Sequence, residues 1–330
     1  MQYKSVKGYT GVGQLGIFFL FIGVGLVLTA VIQLVIGMYT VPDGTSITHL
    51  GDAMVNALKD PKNIMLSRLL QVLGTFSMFF IPAVLYAWVC HGRNGFWLGF
   101  NKYINIYQVL IGFLIIFTAN IMASPMEELV KAVVVHFPSV DALAKKLELA
   151  YNEQVMIMSN LTSWSEFFMA LLIIAFFPAL FEEVFFRGAL QNLLVKWWKM
   201  PILAIVVTSL LFSFIHMSVY LFLSRAVLGF VLGLLYYKTK NIWVNIIAHF
   251  LNNAIAVAQL FSMSRSKEKM DISKLDPKLD WWYGLIAVAI LFLLFKVISR
   301  YSQKNIMKIY TKEQVLMANE NTGNPFANSN

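Results

Sequence analysis

Long stretches of this chain carry no charge, and that limits its fold more than any other feature. Charge-free apolar runs of about twenty residues occupy 15–38, 69–90, 104–123, 201–220 and 241–261, each long enough to cross a bilayer as a helix. Shorter or interrupted apolar stretches lie at about 165–190, 222–237 and 282–299. The pattern predicts an all-α, polytopic membrane bundle of about eight transmembrane helices. Composition agrees: 58% of residues are hydrophobic and 13% charged, against roughly 25% charged in soluble domains. The first run is too long for a signal-peptide core and lacks a small-residue cleavage site, so it reads as a retained helix.

The net charge of +9 would suit a nucleic-acid partner, but its distribution does not. Lys4 and Lys7 precede the first run, and Arg93 and Lys102 fill a loop without acids. Lys196, Lys199, Lys238 and Lys240 flank later runs, and Lys296, Arg300, Lys304, Lys308 and Lys312 mark the exit of the last. With eight spans and both termini cytoplasmic, all of these fall on one side, the positive-inside pattern of a cell-membrane protein. The partners expected are the lipid bilayer and no nucleic acid. Segment 124–164 would lie outside, with five acids against three lysines; 264–280, also outside, carries five basic and four acidic residues and fits less well.

Four regions follow. Residues 1–164 hold the first helices and a long outer loop. Within that loop "SVDALAKKLELAYNEQVMIM" (139–158) sets Val140, Leu143, Leu147 and Tyr151 on one side, the spacing of an amphipathic helix. Ser139 or Asp141 would cap it, and it would lie on the membrane surface or roof the bundle. Residues 165–262 hold the polar groups discussed next, 263–310 the last span, and 311–330 a polar, disordered tail. The single cysteine, Cys90, excludes an internal disulfide and reads as a packing residue. "GVGQLG" (11–16) follows no strand, so it is no dinucleotide fingerprint, and "GFVLG" (229–233) reads as a close-packing motif. "SPMEELVK" (124–131) reads as polar loop, with Glu127 and Lys131 an ordinary i,i+4 pair.

Ionisable groups inside spans are costly and mark functional candidates. Glu182, Glu183 and Arg187 interrupt a run with no charge since Glu166. On a continuous helix Glu183 and Arg187 pair at i,i+4, and Glu182 points about 100° away. Pro178 frees a carbonyl one turn earlier and bends the helix beside the acids. His216 lies in a 24-residue stretch, 201–224, without Lys, Arg, Asp or Glu. His249 has Asn253 four residues later on the same helical face and Asn245 four residues earlier. Each histidine and asparagine alone is explained by interhelical hydrogen bonding, and Arg225 by snorkelling at the outer interface. Together they supply an acid, two imidazoles and a carboxamide. A carboxylate and a histidine can deprotonate a water, while histidine and asparagine can donate to an oxyanion. Alternatively Glu182, His216 and His249 make a two-histidine, one-carboxylate zinc set.

The motifs E-E-x-x-x-R ("EEVFFR", 182–187), F-x-x-x-H ("FSFIH", 212–216) and H-x-x-x-N ("HFLNN", 249–253) resemble, in order and spacing, the CPBP family of CAAX proteases and bacteriocin-processing proteins, also called Abi or lysostaphin-resistance-like. The stretch 225–254 resembles the helix-turn-helix before its last motif. The resemblance covers about 165–262; the earlier helices carry no family motif. It implies an intramembrane endopeptidase acting on a peptide or membrane-anchored protein, with Glu182 and His216 activating water. His249 and Asn253 would serve the oxyanion or a metal, and Glu183 and Arg187 would shape the site. Both a zinc-dependent and a metal-free mechanism are compatible with it. The site would open within the bilayer, toward its cytoplasmic half. The alternatives are a proton-coupled transporter, for which no second copy of the constellation is present, and a non-catalytic peptide-binding immunity protein.

Overall fold

A computed structural model describes residues 3–41, 45–158, 161–266 and 279–321, and no residue among them lies in a β-strand; the only β pairing is an isolated bridge between Lys4 and Thr10. Ten helices are labelled here: α1 Gly11–Met38, α2 Leu50–Lys59, α3 Ile64–His91, α4 Ile106–Val134, α5 Pro138–Met158, α6 Trp164–Trp198, α7 Pro201–Phe214, α8 Phe222–Thr239, α9 Ile242–Arg265 and α10 Trp281–Asn321. Six of them, α1, α3, α4, α6, α9 and α10, are long and apolar enough to cross a membrane. The shorter α7 and α8, of 14 and 18 residues, occupy the other two expected positions. At 1.5 Å per residue α7 rises about 21 Å, less than the hydrocarbon thickness of about 30 Å.

Local chemistry fixes the helix starts. Thr10 accepts from the Gly13 amide, and Asn241 accepts from the Trp243 amide. Reciprocal capping boxes open α4 (Asn105 with Gln108) and α6 (Ser163 with Glu166), each satisfying two amides that the first turn leaves free. Lys199 and Lys240 end α6 and α8 in the left-handed region.

Several boundaries differ from the sequence reading. "SPMEELVK" lies inside α4, which runs through Pro125 to Val134; membrane helices tolerate such prolines. Glu127 and Lys131 do pair, at 2.5 Å. The helix at 138–158 is present, but neither Ser139 nor Asp141 caps it: the amides of Val140 and Asp141 bond the Phe137 carbonyl. Its expected apolar side is largely uncovered, with Val140, Leu143 and Tyr151 exposed and Ala144 buried. α10 continues to Asn321, into the expected polar tail, because Ile309 and Leu316 pack on Phe96 and Trp97 and Glu313 pairs with Lys196 at 2.5 Å. The rest of that tail, 322–330, and most of the mixed-charge loop, 267–278, lie outside the described residues.

One end of the bundle gathers the basic segments. The Lys7 amide bonds the Cys90 carbonyl, Asn241 bonds Asn101 and Tyr103, and Lys196 meets Glu313. Cys90 is wholly buried, with Leu98, Phe185 and Phe186 in the same core.

Candidate active site

α6 is one continuous 35-residue helix, but its turns are not uniform. Residues Leu171–Phe176 and Val184–Gln191 are π-helical, and Phe177–Glu183 between them is α-helical. Pro178 stands at the start of that central segment, where its missing N–H leaves an upstream carbonyl free. Wide turns of this kind recur at functional sites. Here both acids sit where α winding gives way to π winding.

The two acids have different surroundings. Glu183 is fully buried and saturated. Its Oε1 accepts from Arg187 Nη1 at 2.7 Å and from His249 Nδ1 at 2.9 Å, and its Oε2 accepts from Asn245 Nδ2 at 3.1 Å. Asn245 also donates to the Leu232 carbonyl at 2.7 Å, tying α9 to α8. Glu182 takes no part in this network. Its Oε2 lies 4.0 Å from His249 Nε2, beyond a direct hydrogen bond.

Arg187 is also buried. Its second terminal nitrogen donates to the Gly229 carbonyl at 3.0 Å, and its guanidinium lies 4.8 Å from the Phe212 ring centre. One turn on, Gln191 donates to the Gly233 carbonyl at 2.9 Å, and Asn192 donates to Tyr236 Oη at 2.7 Å. The glycines of "GFVLG" therefore do more than pack. A Cβ on Gly229 would come within 3.3 Å of Ser209 and Phe212, and one on Gly233 within 2.8 Å of Gln191 and Ile205. Their small size lets α6 side chains reach α8 carbonyls, a role the spacing alone does not disclose.

His216 is not on a helix. α7 ends at Phe214, and His216 occupies the turn before α8, followed by Met217 at φ +50°. The stretch 201–220 is free of Lys, Arg, Asp and Glu throughout, which hides this stop. Two bonds hold the histidine. Its Nδ1 donates to the Phe212 carbonyl at 2.7 Å, and its own carbonyl accepts from Arg225 Nη1 at 3.3 Å. Arg225, read as an interfacial residue, thus supports the turn. Phe212 lies between the polar groups, 4.7 Å from the His216 ring and 6.1 Å from the His249 ring, centre to centre.

Both imidazoles engage Nδ1 with a protein oxygen. In the neutral ring the other nitrogen, Nε2, then carries the lone pair. Asn253, one turn beyond His249, accepts from Asn252 Nδ2 at 3.4 Å, and Asn252 accepts from Asn120 Nδ2 at 2.5 Å. As for a metal, Glu182, His216 and His249 are not drawn into one ligand set: among the described residues no three His, Cys, Asp or Glu side chains are grouped to hold an ion.

The fold and site define a membrane-embedded helical bundle with a carboxylate–imidazole centre. Residues 164–255, from the first residue of α6 into α9, match the family model "Type II CAAX prenyl endopeptidase Rce1-like", in agreement with the CAAX-protease resemblance of the motifs. The matched segment contains Glu182, Glu183, Arg187, His216, His249 and Asn253, and it supports a CAAX-protease-like endopeptidase of the membrane. No curated protein and no solved structure matches the chain.

Proposed function

We propose that the protein is an intramembrane endopeptidase that hydrolyses a peptide bond in a peptide or a membrane-anchored protein tail, with Glu182 as general base. The observation that carries this reading is the division of labour between adjacent acids. Glu183 is saturated by Arg187, His249 and Asn245, while the Glu182 carboxylate is left to face the Nε2 atom of His249. A water between Glu182 and His216 would give its proton to the carboxylate and attack the scissile carbonyl. Asn253 would donate from Nδ2 to the oxyanion, as would His249 from Nε2 when its ring carries a proton on both nitrogens. Glu182 would then return the proton to the leaving amine. Glu183 and Arg187 would hold His249 and the α6–α8 contact rather than touch substrate.

The bundle would lie in the cell membrane with its basic end cytoplasmic, in line with the positive-inside rule. His249 would then sit about 10 Å along α9 from that end, and His216 about 20 Å along α7, which puts the centre deep in the bilayer. The test is Glu182→Gln in proteoliposomes with a quenched-fluorescence farnesylated peptide ending in a CAAX sequence. Loss of cleavage by a folded, inserted variant is expected; cleavage at the wild-type rate would overturn the assignment. Metal analysis of the wild type, His216→Ala and His249→Ala separates the two water-activation schemes. Stoichiometric zinc lost in both variants would replace the metal-free scheme.

A further inference from the structure

His216 poses a structural difficulty that the rest of the centre does not. Glu182, Glu183, Arg187 and His249 stand on long helices that fix them. His216 stands in a seven-residue turn, 215–221, that contains a non-glycine residue in the left-handed region. That conformation is unfavourable for an L-residue and persists only where surroundings over-determine it. A side chain on such a turn reaches catalytic precision only if other groups lock it.

The locking groups come from α5, outside the matched segment 164–255. Tyr220, 5% exposed and four residues after His216, donates its hydroxyl to Asp141 Oδ1 at 2.6 Å. The other oxygen of Asp141 pairs with Lys145 at 2.6 Å, so the carboxylate is fully engaged between turn and helix. The Tyr220 ring packs with Val134 and Ala144 and lies 5.4 Å from the Lys131 ammonium. Ten residues along α5 from Asp141, the Tyr151 ring lies 5.1 Å from the Arg225 guanidinium, and that guanidinium grips the His216 carbonyl. α5 therefore touches the turn at two points, once through Tyr220 and once through Arg225.

We propose that α5 is a clamp for the catalytic turn, and that Arg225 is a positioning residue holding His216 in register with Glu182. The clamp rests on the endopeptidase reading for its consequence but not for its existence. Tyr220→Phe removes the hydroxyl bond to Asp141 with little change of shape, and Asp141→Asn weakens it by removing the carboxylate charge, which Lys145 also engages. Arg225→Lys keeps the charge but loses the guanidinium fork that reaches the His216 carbonyl and lies over the Tyr151 ring.

The experiment uses the full chain in proteoliposomes and two readouts. Hydrogen–deuterium exchange is followed over residues 213–222, and kcat and KM are measured on the farnesylated CAAX peptide. In Tyr220→Phe, Asp141→Asn and Arg225→Lys, exchange in 213–222 is expected to rise while α6 and α9 stay unchanged. The kcat should fall by about three- to thirty-fold, with KM within about twofold. The Tyr220→Phe/Asp141→Asn double variant should disturb the turn by less than the sum of the two singles, since both act on the Tyr220–Asp141 bond. Unchanged exchange in the turn would overturn the clamp, and so would exchange rising uniformly across the bundle. A wild-type chain that leaves the peptide intact, with turn exchange still rising in the variants, would overturn the endopeptidase reading and leave the clamp standing.

Discussion

Replacing Glu183 by glutamine tests the assignment of the two acids most directly. The substitution keeps shape and removes one charge. Glu183 is 0% exposed and Arg187 1%, so the guanidinium would remain in a low-dielectric interior with its 2.7 Å partner made neutral. Breaking one half of a buried pair costs about 3–5 kcal/mol. Folded proteins have only about 5–15 kcal/mol in total, so this is a large fraction. At roughly 2 °C per kcal/mol, the scale of larger domains, the thermal midpoint in detergent should fall by about 6–10 °C. Activity should fall as well, because His249 Nδ1 loses its anionic acceptor at 2.9 Å. Glu183→Leu combined with Arg187→Met should recover much of the midpoint, as apolar replacement of a whole buried pair is often neutral, but none of the activity. Fluorescence-detected size exclusion after heating reports the midpoint. If Glu183→Gln melts within about 1 °C of wild type while Glu182→Gln melts early, the roles of the two acids are reversed and the reasoning fails.

Further expectations can be checked on the same preparations. Gly188→Ala places a Cβ 2.6 Å from the Leu98 carbonyl oxygen, a backbone atom that cannot rotate away, and should lower the midpoint through about 1–3 kcal/mol of overpacking. Asn245→Ala leaves the buried Glu183 Oε2 and Leu232 carbonyl without this donor; a loss of about 1–3 kcal/mol and a partial fall in kcat are expected. Lys145, then Tyr220, hold the Asp141 carboxyl below its usual range. Its stabilising effect is therefore complete above the ordinary aspartate value of about 3.9 and is lost only as pH falls through the lower folded value. Turn exchange, corrected for intrinsic rate, should stay flat from pH 5 to 8 and rise only in more acidic buffer. A rise near neutrality would show that another group governs the turn.

The membrane character was legible in the sequence because it rests on composition over whole segments. A run such as 15–38 has no alternative burial, whatever its neighbours do. The pairing of Glu183 with Arg187 was legible for a related reason: it is an i,i+4 relation within one helix, and α6 preserves it even where its turns widen. The spare status of Glu182 followed from the same helical geometry. Helix ends were less legible. Pro125 looks like a loop residue but lies within α4, and the polar end of α10 is held by Phe96, Trp97 and Lys196, residues far away in the chain.

What the sequence determined by itself was the solvent, the helical class and the short-range pairs, since each depends on spacing along one element. Tertiary structure decided the rest. It joined Glu183 to His249 across 66 positions and Arg187 to the Gly229 carbonyl across 42. It also set His216 in a turn gripped from α5 and α8 rather than on a helix. These contacts are made between elements, through side chains whose partners no periodicity specifies. The glycines of 229–233 illustrate the limit: their spacing announces close approach, but only the packed helices reveal that the approach brings Arg187 to a backbone carbonyl.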